Sequence, residues 1–208
     1  MTRLRSLFWQ AACAGFVALH ISAWAADSPL ETIRSTVERA AAVLQDPAHQ
    51  GKAHTQTRLD KVREIVLPQF DSQEIARRTL GVHWRDRTEE QRKEFIHLFT
   101  ALVEKTYSGT LDRYTNAVQF FFDQERIEDD FAEVDTRIFD PAQSKAFSIT
   151  YKLHKVDGKW LIYDIIAENI SMVRNYRTQF SHILSKSSYE DLVQTIETKL
   201  KELSASPS

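Results

Sequence analysis

Asp164 is the ionisable residue whose neighbours could most readily turn it to chemistry. It interrupts an apolar stretch, Trp160-Leu161-Ile162-Tyr163-Asp164-Ile165-Ile166. A carboxylate held among apolar side chains resists ionisation and can serve as a general base near neutral pH. Paired with Tyr163 or a histidine, it would suit an isomerase or dehydratase. The plainer reading is structural: the carboxylate accepts hydrogen bonds from a neighbouring turn, or pairs with Arg or Lys. The structural reading is taken here. His49, His54, His83, His97, His154 and His182 show no metal-ligand spacing with a carboxylate on one helix face. Neither H-E-x-x-H nor G-x-S-x-G occurs. Glu125, Glu128, Asp129 and Asp130 read as a solvated hairpin loop rather than a cation site. The sequence is therefore read as a non-enzyme, with no catalytic residue, metal or cofactor.

Composition narrows the function classes further. Beyond residue 25 the glycines are Gly51, Gly81, Gly109 and Gly158, too few for a phosphate-cradling loop or dinucleotide fingerprint. Arg3 and Arg5 precede an apolar run from Leu7 to Ala25 that ends in Ala23-Trp24-Ala25, the pattern of a secretory signal peptide cleaved before Ala26. Its removal also removes Cys13, so no thiol chemistry or disulfide remains. It takes the 27 basic residues to 25 against 29 acidic ones, a net charge of −4. The charges are mixed along the chain without a basic block, which argues against a nucleic-acid partner. An exported, periplasmic protein with one domain over residues 26–203 and a tail over 204–208 follows.

The elements that would position a site come in two kinds. Residues 26–115 read as mainly helical. Ser28-Pro29-Leu30-Glu31 is a helix start, and Asp46-Pro47 a stop. A second helix runs from Thr55 to Leu67. Asp71 caps a third, with Glu74 in the reciprocal position and Gly81 closing it. Thr88 to about Tyr114 forms the longest, with Phe95, Leu98, Phe99, Leu102 and Val103 on one stripe. Residues 116–167 read as strands: Phe120-Phe121-Phe122, then Phe131 to Phe139, then Phe147, Ile149, Tyr151 and Leu153 in alternation, then a return strand after the Asp157-Gly158 turn. In the return strand Trp160 and Ile162 oppose Leu161, Tyr163 and Ile165, so both of its faces are apolar and need cover. Ser171 caps a helix carrying Val173, Tyr176 and Phe180, and a last helix ends residues 168–203. The fold class expected is α+β: a curved antiparallel four-stranded sheet of the nuclear-transport-factor-2-like kind with an N-terminal helical subdomain.

Phe70-Asp71, the run from Thr79 to Phe99 and Thr106-Tyr107, followed by Tyr151, Trp160, Asp164, Ser171, Tyr176, Arg177, Gln179 and Phe180, resemble the MlaC, or toluene-tolerance auxiliary, family. The resemblance spans nearly all of the chain after the signal peptide. It implies a periplasmic phospholipid-binding protein that shuttles lipid between an outer-membrane lipoprotein complex and an inner-membrane ABC transporter, maintaining outer-membrane lipid asymmetry. A sister branch is associated with hopanoid biosynthesis, so another lipid is the alternative cargo. Asn169 stands where the family pattern has glycine; asparagine is next best able to adopt left-handed backbone geometry.

A lipid's tails need an apolar wall. Each methylene contributes roughly 0.8 kcal/mol on burial, so an acyl chain of about fifteen costs on the order of 12 kcal/mol in water. Residues read as lining such a wall are Phe120, Phe122, Phe147, Ile149, Tyr151 and Leu153 from the strands, with Phe99, Leu102, Val103, Val173 and Tyr176 from the helices. Pattern alone fits a cavity and a dry, filled core equally well; the resemblance favours the cavity. A pure adaptor for other envelope proteins is a third reading.

Overall fold

Ser28 starts the first helix as its chemistry predicts. The computed structural model describes residues 28–49, 51–113 and 118–205; the expected signal peptide, Tyr114 and residues 206–208 of the expected tail lie outside them. In α1 (Pro29–Gln45) the Ser28 hydroxyl accepts from the Glu31 amide at 3.2 Å, satisfying a donor the helix itself leaves open. α2 (Thr55–Val66) tightens into a 3-10 turn at Leu67–Gln69, where Pro68 prevents further helix. Asp71 begins α3 (Ser72–Leu80) by accepting from the Glu74 amide at 2.8 Å. The Glu74 side chain does not reciprocate, because the Asp71 amide donates to the Ile162 carbonyl at 2.9 Å; Glu74 binds Arg77 and Arg78 instead. Thr88 and Gln91 do form the reciprocal pair, at 3.1 and 3.2 Å, and launch α4 (Glu89–Arg113).

Five antiparallel strands follow in sequence order: β1 (Gln119–Glu128), β2 (Phe131–Asp140), β3 (Lys145–Val156), β4 (Lys159–Ala167) and the two-residue β5 (Ile170–Ser171). The fifth exceeds the four expected, and it exists because Glu168 and Asn169 adopt φ of 47° and 66° and turn the chain back on β4. Asn169 thus supplies the left-handed geometry expected of a glycine. α5 (Met172–Leu184) and α6 (Tyr189–Ala205) close the chain, α6 taking in Ser204 and Ala205 from the expected tail.

Two bulges set the sheet's faces. Between Phe122 and Gln124 the β1–β2 register slips, and opposite Lys152 and Leu153 the β4 chain carries Tyr163 as an extra residue. Bulges bend and twist a strand and change which side later residues face. β1 also runs on to Glu128, so Glu125 and Glu128 are strand residues rather than loop residues, and only Asp129-Asp130 form the turn. Glu125 has a specific use: its carboxylate accepts from the Leu30 amide at 2.8 Å and holds the start of α1 on the sheet.

Two main apolar cores result. Ile33, Leu30 and Val37 of α1 pack on Ala132, Val134, Leu153, Trp160 and Ile162, with Phe70. A second core lies among α3, α4, α5 and α6, around Phe95, Phe99, Tyr176, Phe180 and Leu192.

Candidate functional site

The strand register decides which side chains share a surface. Phe120, Ile138 and Phe147 lie across from one another, as do Phe122, Thr136 and Ile149, then Val134, Tyr151 and Ile165, then Ala132, Leu153 and Ile162. All face the side that α1 covers. Cover is uneven: Ala132, Val134, Thr136, Ile138, Leu153 and Ile162 are buried, whereas Phe120, Phe122, Phe147, Ile149, Tyr151 and Ile165 remain half-buried. Cations sit over two of these rings, the Arg34 guanidinium 4.4 Å from the centre of Phe122 and the Lys145 ammonium 4.6 Å from that of Phe147. A partly uncovered apolar surface with cations on its aromatic rings can hold hydrocarbon and leave an anionic group near water.

Within this surface Tyr151 is the polar element. Burial pushes its phenol up to about 12, outweighing the hydrogen bond with Thr136, and the Thr136 hydroxyl donates to the Ile149 carbonyl at 3.2 Å. The hydroxyls are satisfied inside the sheet, so the face stays apolar.

The other expected lining residues lie in the helical core. Phe99 is 1% exposed, its ring 5.0 Å from Tyr176 and 5.6 Å from Phe180. Leu102 and Val173 are buried beside it, and Val103 packs on the same cluster. The structure therefore brings the six strand residues together on one face and the five helical ones together in a separate core. Tyr107, 43% exposed, borders that core; burial and then Tyr176 raise its phenol above the ordinary value.

Asp164 stands elsewhere. The bulge at Tyr163 carries it off the apolar face, opposite Lys152, where it is 7% exposed. One oxygen accepts from the Ser171 hydroxyl at 2.6 Å and the other from the Val173 amide at 3.0 Å; the Ser171 oxygen accepts in turn from the Arg174 amide. These bonds seat the N-terminus of α5 on β4. Both carboxylate oxygens are committed to this cap, as the structural reading of the sequence expects.

The same bulge shows what alternation missed. Period-two counting puts Ile165 opposite Ile162, but the extra residue returns it to the apolar face. Nothing in the composition of β4 signals this, since no glycine marks the bulge. His154 was equally invisible: its Nε2 lies 3.0 Å from the Asp71 carboxylate, 83 residues away in sequence. Phe131 stacks on its ring and Tyr163 meets it edge-on, a clamp between β3 and the start of α3. The rest of that outer face is an exposed ion-pair ladder of Arg126 with Glu133 and Asp135, Lys152 with Glu133, and Arg137 with Asp123. Among the described residues there is no group of His, Cys, Asp and Glu that could hold a metal ion, and no helix long and apolar enough to cross a membrane.

The family model described as "MlaC protein" matches residues 34–198, a span that takes in α1 from Arg34 onward, most of both cores and the whole sheet. The chain belongs to the MlaC family. Among family relatives it is 24% identical over 149 residues to the intermembrane phospholipid transport system binding protein MlaC of Haemophilus influenzae, covering 70% of this chain and 68% of that one. It is 23% identical over 175 residues to toluene tolerance protein ttg2D of Pseudomonas putida, covering 83% and 80%. A phospholipid-binding protein from Ralstonia solanacearum, solved in complex with a phospholipid, shares this chain's fold: TM-score 0.77 at 21% identity, over 86% of this chain and 99% of that one. The α+β fold with an open, curved antiparallel sheet is therefore the family's.

Proposed function

We propose that this protein is a periplasmic lipid carrier that holds phospholipid acyl chains on the apolar sheet face and passes lipid between an outer-membrane lipoprotein complex and an inner-membrane ABC transporter, so maintaining outer-membrane asymmetry. The observation carrying the reading is the run of half-buried apolar residues, Phe120, Phe122, Phe147, Ile149, Tyr151 and Ile165, on the face that α1 only partly covers. A single domain over 26–203, exported by the signal peptide over 1–25, is part of the proposal. The names of the relatives, intermembrane phospholipid transport among them, support it. Tails on this face exchange bilayer for protein hydrocarbon, which keeps transfer near neutral where free lipid in water is strongly disfavoured. The strand residues hold the tails; Phe99, Leu102, Val103, Val173 and Tyr176, packed together in the helical core, would line them only if that core opened, and the head group stays at the rim near Arg34 and Lys145. No step of this action needs catalysis.

Extraction of lipid from the purified protein, with mass spectrometry, tests the reading and identifies phospholipid, hopanoid or another lipid as cargo. Ile149→Asp places a charge against hydrocarbon, at a cost of several kcal/mol, and should abolish lipid co-purification while the fold persists. Ile149→Ala should be mild, because flexible tails move into the space, whereas in a dry core it would cost roughly 2–5 kcal/mol. A lipid-free wild type together with a severely destabilised Ile149→Ala overturns the proposal.

A further inference from the structure

The turn after α3 carries a concentration of cations that the lipid-binding face does not use. Arg77, Arg78, Val82, Trp84, Arg85 and Arg177 line a cleft of about 320 Å³ beside Gly81. Glu74 is the carboxylate paired there, binding Arg77 at 2.6 Å and Arg78 at 2.7 Å. Arg85 and Arg177 are exposed and make no ion pair among the described residues. Four guanidinium groups thus line one concavity, two of them without an ion pair among the described residues, in a chain whose net charge is −2.

The cleft is also pre-shaped. Gly81 has φ of 58°, and a Cβ there would come within 2.9 Å of the Arg177 Nε, so glycine is what lets the guanidinium of α5 lie against the turn. Arg92 donates to the carbonyls of Trp84 and Arg85 at 3.3 Å while lying over the Trp84 ring. These contacts fix the turn and leave Val82 protruding at the rim, 70% exposed.

We infer that this cleft is a docking site for an acidic segment of a partner protein. Guanidinium groups fork onto planar carboxylates, and arginine and tryptophan dominate the strong points of protein interfaces. A bilayer surface fits less well: the surface here is concave, Val82 is a single apolar tip, and the other exposed large apolar side chains belong to other elements. The inference stands apart from the lipid-binding proposal, because no residue of the cleft lies on the apolar sheet face.

Fluorescence anisotropy with the purified protein tests it, using a short peptide alternating glutamate and leucine and its glutamine-substituted analogue. The glutamate peptide should bind, weaken with salt, and lose about tenfold in affinity in Arg85→Gln/Arg177→Gln. The analogue should not bind, Arg137→Gln on the outer sheet face should change nothing, and lipid co-purification should be retained throughout. Arg85→Gln alone, at an exposed position, keeps the test decisive if Arg177→Gln disturbs α5. Three results would overturn the inference: binding indifferent to the arginines, arginine-dependent binding to mixed phosphatidylcholine–phosphatidylglycerol vesicles with the peptide ignored, or arginine-dependent self-association.

Discussion

Neutralising Asp164 would leave its volume and alter what it offers to α5. Asp164→Asn keeps one acceptor oxygen but presents an NH₂ group to Ser171 or to the Val173 amide, each of which already donates. A buried donor facing a donor costs about 1–3 kcal/mol. Chemical denaturation should report that loss while extracted lipid stays at the wild-type level; a fully stable variant with lost lipid would contradict the capping role. Tyr151 carries a pH dependence of opposite character. Burial raises its phenol from 10.0 to about 12, so the folded state favours the neutral form. Its contribution is fully present below about pH 10 and is lost as pH rises through about 12. Melting temperature should therefore fall across that window, and less steeply in Tyr151→Phe. Tyr189, also pushed up to about 12 by burial, adds to the same fall and is unaffected by that substitution.

At the level of elements, the α3–Gly81–α5 junction is the most exacting. Gly81→Ala meets both an unfavourable φ, at about 1–2 kcal/mol, and the Arg177 side chain, so it should destabilise by at least that much in urea titration. An unchanged midpoint would show that the turn can rearrange. Helix boundaries were largely legible, because Ser28, Asp71, Thr88 and Ser171 are side chains that cap and Pro68 and Gly81 are residues that stop helices. The strands were legible in extent and less so in facing. Alternation gave the faces of β2 and β3 correctly, because each runs its length with one parity. It failed on β4, where an unmarked bulge moves Asp164 out of the apolar face and Ile165 into it. For the same reason, the strand half of the expected lining could be read as a group. The separate packing of Phe99, Leu102, Val173 and Tyr176 depends on which helices meet, and no local pattern records that.

Taken as a whole, the molecule sets a filled helical core beside a sheet whose apolar face is only partly closed. A ligand bound by the native state alone stabilises it by mass action. Delipidated protein should melt at lower temperature than loaded protein, and hydrogen exchange should quicken in Phe147–Leu153 while Phe95–Leu102 stays protected. Equal loss of protection in α4 would place the tails in the helical core instead. The strand order β1-β2-β3-β4-β5 has a consequence for how the sheet is made. Every strand pairs with its neighbour in sequence across a short turn, so each hairpin closes a small loop and no distant segment must be found first. Such a topology has low contact order and folds quickly for its strand content. Exported unfolded as proposed above, the chain would zip up its sheet turn by turn, with little time for the greasy face to meet another copy before α1 settles on it.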